Sequence, residues 1–313
     1  MVNHLRYLVS ILLFFSLNPF GFWQGMAQVL GQIVGISRSL LAHPTRSQRP
    51  IALSLPFEGY WTVANGGIDK AHSHSWNVIT QRYAYDFYIT DDQGKSHQGD
   101  GKRLEDYYAF GRAVLAPADG TVIEVRDDVR DSPHSGTGWI DWRTRDFRGN
   151  YIVIKHDERA YSLIAHLKQG SCKIQKGDCV QRGQVIGVCG NSGHSTEPHI
   201  HFHLQDHPNF YLAVGLPIQF IHIAVQTNGS DRIQVFSSGY VTKNQKIANL
   251  LGNHGSKQSS EEPTQVVSAT VGLLDFIKSL LLGLLTILAV VGITRYVVYM
   301  FQFIFDSLMG AII

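Results

Sequence analysis

Residues 198–203, Pro198-His199-Ile200-His201-Phe202-His203, set histidines at three alternate positions. On a β-strand, residues two apart point to the same face and lie about 6–7 Å apart, from a rise of roughly 3.3 Å per residue. His199, His201 and His203 would then form a row of imidazoles on one face. Such a face is costly to bury for packing alone and is a natural place for a transition metal, provided other segments supply the remaining ligands.

The surrounding sequence offers them. Upstream run Gly183-Gln184-Val185-Ile186-Gly187 and Gly190-Asn191-Ser192-Gly193-His194-Ser195-Thr196-Glu197, which leads directly into Pro198. Earlier come Tyr83-Ala84-Tyr85-Asp86-Phe87, Ala116-Pro117-Ala118-Asp119-Gly120-Thr121-Val122, Gly149-Asn150-Tyr151-Ile152-Val153-Ile154 and Ala165-His166-Leu167. In this order and spacing the set resembles the M23 family of zinc metallopeptidases, the lysostaphin- and LytM-like peptidoglycan endopeptidases. The resemblance runs from about Trp61 to Leu216.

It implies a site residue by residue. Asp86 and His201 take the places of the family's zinc-binding Asp and second His of HxH. His199, the first His of that motif, and His166, in a Tyr-x-His-Leu-like motif, take the places that act on the water and the tetrahedral intermediate. The remaining ligand in the commonest pattern is a His four residues before the Asp, where this chain has Arg82. Relatives with a longer insertion carry it in a Ser-His-Ser-like element, which Ser73-His74-Ser75 resembles. His74 is the ligand expected there, with His72 as the alternate. His203 stands where the family has Glu or Gln and is expected to line the groove or support a ligand from behind.

The residue types suit this chemistry. Catalytic zinc is typically held by three protein ligands with water in the fourth position. Two His and one Asp leave the ion with positive charge that acidifies water and polarises a carbonyl. Two further imidazoles can then move a proton and stabilise an oxyanion, which gives peptide hydrolysis with no covalent enzyme intermediate. Other histidines read as structural or solvated: His156 at a strand end, and His134, His194 and His207 in loop-like sequence. Asp86 could be a turn acid, but its strand-forming aromatic neighbours favour projection into a site.

Short β-branched and aromatic runs at 113–115, 121–125, 151–154, 161–164 and 184–188 alternate with Gly, Asp and Asn, the punctuation of strands joined by tight turns. The expected fold is mainly β: an antiparallel sheet or partial barrel of the M23, duplicated-hybrid-motif type, with hydrophobic helical segments at both termini. Residues 126–148, rich in Asp, Arg and Gly, read as a long loop over the groove whose Trp139 and Trp142 could touch substrate or pack in the core.

Residues 1–27 read as a signal peptide, with Gly25-Met26-Ala27 offering a cleavage site, or as an anchor, since no charge occurs from Tyr7 to Ser37. A linker (28–50), the catalytic domain (51–242, with 233–242 as a small β appendix) and a flexible linker (243–273) follow. A transmembrane helix over 274–304 precedes a tail (305–313), and Arg295 would snorkel near an interface. Either reading of the N-terminus exports the domain to the outer side of a bacterial membrane, the periplasm or cell surface.

A net charge of +2 with 17% charged residues gives no case for nucleic acid. Of the three cysteines, Cys172 and Cys179 flank the turn at 175–178 and could pair in an oxidising compartment, leaving Cys189 single. The resemblance implies a Zn2+ cofactor and, as partner, the stem or cross-link peptides of peptidoglycan. Two alternatives stay open: a non-catalytic wall-binding or hydrolase-activating module on the same fold, and a zinc peptidase that cleaves proteins or Gly-rich substrates.

Overall fold

The structure, a computed structural model, describes residues 2–41, 51–227 and 232–250. The expected transmembrane segment 274–304 and most of the linker before it fall outside that range.

The fold follows from strands whose two faces differ in chemistry. β1 (Trp61–Asn65), β2 (Tyr85–Tyr88), β4 (Gly120–Arg126), β5 (Asn150–Asp157), β6 (Ala160–Leu167), β7 (Cys179–Val180) and β9 (Ile200–Gln205) join one antiparallel sheet. β11 (Phe220–Thr227), β12 (Ile233–Gly239) and β13 (Gln245–Asn249) extend it beyond β1, so residues 233–239 continue the main sheet rather than forming an appendix. The order is β12-β11-β13-β1-β2-β9-β6-β5-β4-β7, with β10 (Gly215–Leu216) beside β9. This is an open path; among the described residues the sheet does not close into a barrel. β3 (Ala113–Leu115) and β8 (Val185–Val188) form a separate two-stranded sheet.

Alternation decides what each face does. Ile200, Phe202 and Leu204 of β9 join Tyr85, Phe87, Ile152, Ile154 and Ile164 in one buried apolar cluster. Their neighbours in the sequence face the other way, so this cluster fixes the register that aims His201 and His203 at the opposite face. On that face Tyr151, Val153, Leu163, Ala165 and Phe210 form a smaller core. Residues 127–149 contain no regular element, as their composition predicted, and Trp139 and Trp142 are half-buried within them.

The N-terminal residues form two helices, α1 (Val2–Leu17) and α2 (Pro19–Leu41), meeting at 94°. Asn18 makes the bend. Its Oδ1 accepts from Phe20 N (2.9 Å) and Gly21 N (3.4 Å), capping α2 with proline at the first helical position. Its Nδ2 donates to the carbonyls of Trp142 (3.0 Å) and Thr144 (2.7 Å). A side chain at Gly21 would meet the Phe14 carbonyl at 2.2 Å, so the bend requires glycine there. No single described helix is long and apolar enough to cross a membrane, although the bent pair passes that test jointly. Cys172, Cys179 and Cys189 are all free, so of the two readings left open for Cys172 and Cys179 the structure has the unpaired one; the Cys172 sulfur lies against the Arg126 carbonyl.

Candidate metal centre and groove

The site grows out of the β2–β9–β6 register. Asp86 on β2 sits directly opposite His201 on β9, and His201 sits opposite Ala165 on β6, one residue before His166. His199 precedes β9, and His74 reaches in from the turn ahead of β2.

Ligand atoms of His74, Asp86 and His201 all lie within 4.8 Å of one another. Asp86 Oδ1 is 3.0 Å from His201 Nδ1 and Oδ2 is 3.5 Å from His74 Nδ1. Four tetrahedral ligands at about 2.0–2.2 Å from zinc stand roughly 3.3–3.6 Å from one another. Two imidazole nitrogens and one carboxylate at these separations therefore fit zinc in chemistry and in size. Burial alone would raise the Asp86 carboxyl, but the charges of His74, His199 and His201 and the hydrogen bond from His201 outweigh it and hold it well below the usual range. Asn65 Nδ2 donates to Asp86 Oδ2 (3.2 Å) while its Oδ1 accepts from Lys243 Nζ (3.1 Å), which fixes the amide.

His166 and His199 face each other beside this cluster, ring centroids 4.8 Å apart. His166 Nδ1 donates to the Ser192 carbonyl (2.8 Å) and His199 Nδ1 donates to the Glu197 carbonyl (2.8 Å). A carbonyl only accepts, so both rings carry a proton on Nδ1 and turn Nε2 toward the site. His199 Nε2 is 3.7 Å from Asp86 Oδ1. Burial, then the neighbouring His199 and His201, push His166 well below its ordinary pKa, so this ring is neutral at pH 7.

His166 has φ +61°, in the left-handed region. A polar lock holds it there. Ser192 Oγ accepts from Asn150 N (2.9 Å) and donates to the Leu167 carbonyl (2.7 Å), while Asn150 Nδ2 donates to the carbonyls of Val129 (2.7 Å) and Leu167 (3.0 Å). Gly149, with φ +69°, lets this strand approach: a Cβ there would lie 2.4 Å from the Ser192 carbonyl.

The other histidines are placed as follows. His203 is buried behind His201, and burial pushes it down to about 3. His72 lies outside the cluster, paired to Asp69 at 2.8 Å. His156 bridges the Asp119 carbonyl and Ser162 Oγ, both at 2.8 Å. His194 is not solvated, contrary to the loop-like reading of its sequence. Phe14 of α1 covers its ring at 4.1 Å, and burial pushes it down to about 3.

The helical pair bonds to both walls around the site. From α1, Arg6 donates to the Thr137 carbonyl (3.2 Å), and Tyr7 lies within electrostatic reach of Asp86. From α2, Gln24 donates to the Arg145 carbonyl (2.7 Å), Gln32 to the Asn77 carbonyl (2.8 Å), and Arg38 pairs with Asp206 (2.7 Å).

Residues 105–210, which include His166, His199 and His201, match the model of peptidase family M23. The matched segment belongs to peptidase family M23. Asp86 and His74 precede the match. Glycyl-glycine endopeptidase ALE-1 of Staphylococcus capitis is 31% identical over 143 residues, 45% of this chain and 33% of the relative. Lysostaphin of Staphylococcus simulans is 30% identical over 133 residues, 42% of this chain and 22% of its own. Peptidoglycan DD-endopeptidase ShyA of Vibrio cholerae is 33% identical over 91 residues, 24% of this chain and 21% of its own. The chain thus spans at most 33% of the length of these relatives.

Proposed function

We propose that this protein is a zinc-dependent endopeptidase that hydrolyses peptide bonds in bacterial cell-wall peptidoglycan. The observation that carries the reading is the joint placement of two kinds of group: a three-ligand cluster fit for zinc, and beside it two imidazoles whose outer nitrogens are tied to carbonyls. His74, Asp86 and His201 would hold the ion, with His72 left out. Zinc, when bound, acidifies water and polarises a carbonyl oxygen. His166, kept neutral by burial, accepts a proton through Nε2 and passes it to the leaving amine. His199 turns its Nε2 to the other side of the site, where it can hold the attacking water by a hydrogen bond and orient it toward the carbonyl carbon. The wall as substrate is supported by what the relatives' names say they cleave.

The same proposal places the domain outside the cytoplasm, at a membrane. The outer side of the helical pair exposes Leu5, Leu8, Leu12, Phe20, Trp23 and Leu30, an apolar face suited to lipid. The expected helix at 274–304 would add a second attachment.

The test is zinc content and lysis of purified peptidoglycan by the detergent-solubilised full chain, alongside His201→Ala and His74→Ala. About one zinc per chain, lost with lysis in both variants, is expected. Zinc and lysis surviving in His74→Ala would move the ligand to another residue, His72 first. A chain with neither zinc nor lysis would be a wall-binding or hydrolase-activating module instead.

A further inference from the structure

Three consecutive inward positions of β9 are polar and buried: His201, His203 and Gln205. An apolar strand face would cost less, because each such group must find a partner when it leaves water. The partners run in one direction, and that direction can be read from its far end.

Gln205 has one terminal atom 2.8 Å from the His207 carbonyl and 3.3 Å from the Pro208 carbonyl. Carbonyls only accept, so this atom is the amide nitrogen, and Oε1 is the atom turned to His203. His203 Nε2 lies 2.8 Å from that oxygen and must therefore carry the hydrogen. A neutral imidazole has one N–H, so His203 Nδ1 is an acceptor. It stands 3.1 Å from His201 Nε2, which must donate to it. His201 is left with Nδ1 as the atom that faces Asp86 Oδ1 at 3.0 Å inside the ligand cluster; without a metal a proton is shared between these two atoms, and a bound ion would take its place. Two backbone carbonyls thus decide, through three side chains, which nitrogen of His201 is offered to a metal.

We propose that Gln205 and His203 form a directional hydrogen-bond chain that holds His201 in the tautomer and ring orientation presenting Nδ1 as a metal ligand. Both are positioning residues. The proposal deepens the metal-centre reading and rests on it. A ligand imidazole whose other nitrogen is held by a fixed acceptor is more basic and better oriented, and loss of such a partner typically weakens metal binding about 10- to 100-fold. His203 and Gln205 are 1% and 0% exposed, so bulk solvent does not reach this chain of groups.

The experiment has two readouts besides hydrolysis, both on the full chain in detergent. The first is long-range 15N–1H NMR of the histidine rings in the metal-free protein. His203 is expected as the Nε2–H tautomer, and a His203 protonated at Nδ1 would overturn the chain whatever the zinc content. The second is zinc affinity by chelator competition. His203→Leu is expected to weaken it by about 10- to 100-fold, and Gln205→Leu to weaken it less. His203→Gln, which keeps an acceptor and a donor, should recover most of the loss. An unchanged affinity in both leucine variants would also overturn the proposal. Should His203→Leu fail to fold, Gln205→Leu and the tautomer measurement still decide. If the unmutated protein binds no zinc while His203 is in the Nε2–H form, the metal-centre reading fails and the hydrogen-bond chain stands.

Discussion

β9 and the N-terminal helical pair are both rich in apolar residues and both end up against the site, but they get there by different physics. On β9 every second residue belongs to the main core, and the alternation alone aims His201 and His203 at the opposite face. The helical pair has no such division. Phe14 is fully buried while Leu5, Leu12 and Trp23 stay exposed, and the polar contacts of the pair with the domain are made by a few side chains such as Asn18, Gln24, Gln32 and Arg38. A strand bonded on both sides has its face assigned by period. A helix pair on a surface is assigned by scattered polar contacts that no period announces.

The largest effects are therefore expected on the strand side. His199→Ala should lower turnover on peptidoglycan about 10²- to 10⁴-fold while zinc content stays near one per chain. Zinc lost along with activity would make His199 a ligand. Phe202→Ala, on the core face of the same strand, should cost about 3–5 kcal/mol of folding stability in urea titrations. A cost below about 1 kcal/mol would mean that β9 does not hold its register by packing.

The helical side should respond more weakly. Asn18→Ala removes a helix cap and two hydrogen bonds to the 142–144 loop. We expect a loss of about 1–2 kcal/mol and faster amide exchange in residues 134–147. Exchange unchanged there would mean that the pair is not docked on this wall in solution. The effect that is smallest near neutral pH, and grows only on acidification, is on pH dependence. Burial under Phe14 holds His194 down to about 3. Below about 6.5 the unfolded chain takes up a proton that the folded chain refuses. Stability is thus complete above that pH and declines as pH falls from there toward 3. His194→Leu should flatten the slope by up to one proton; identical slopes would mean that His194 is wet.

Much of this was legible in the sequence because its signals are local. The strands at 113–115, 120–126, 150–157, 160–167 and 185–188 cover the runs at 113–115, 121–125, 151–154 and 161–164, and all but the first residue of the run at 184–188, where alternation and turn residues put them. His201 and Asp86 meet as the motifs required, and His74, preferred over its alternate His72 for the resemblance of Ser73-His74-Ser75, joins them in the cluster. What escaped depends on contacts between distant segments. Asn65 is an unremarked strand residue until β1 pairs with β2 and brings its amide to Asp86. Ser192 and Asn150 were visible as motif residues, but their lock on His166 is made of backbone carbonyls that a sequence does not display. His194 looked solvated because its covering residue, Phe14, lies on another element far along the chain.

The register pair Asp86–His201 has a consequence for assembly. The two residues are 115 apart in sequence, yet the cluster exists only when they face each other. Closing a loop of that length is entropically costly, and here the apolar side of the sheet must supply the driving force. An ion at this place cannot recruit the chain early, as ions do where all ligands lie close together in sequence. It can only select molecules already threaded correctly, adding RT ln(1 + [L]/Kd) to their stability. Metal uptake during refolding should therefore follow strand docking and act as a proofreading signal for completed topology.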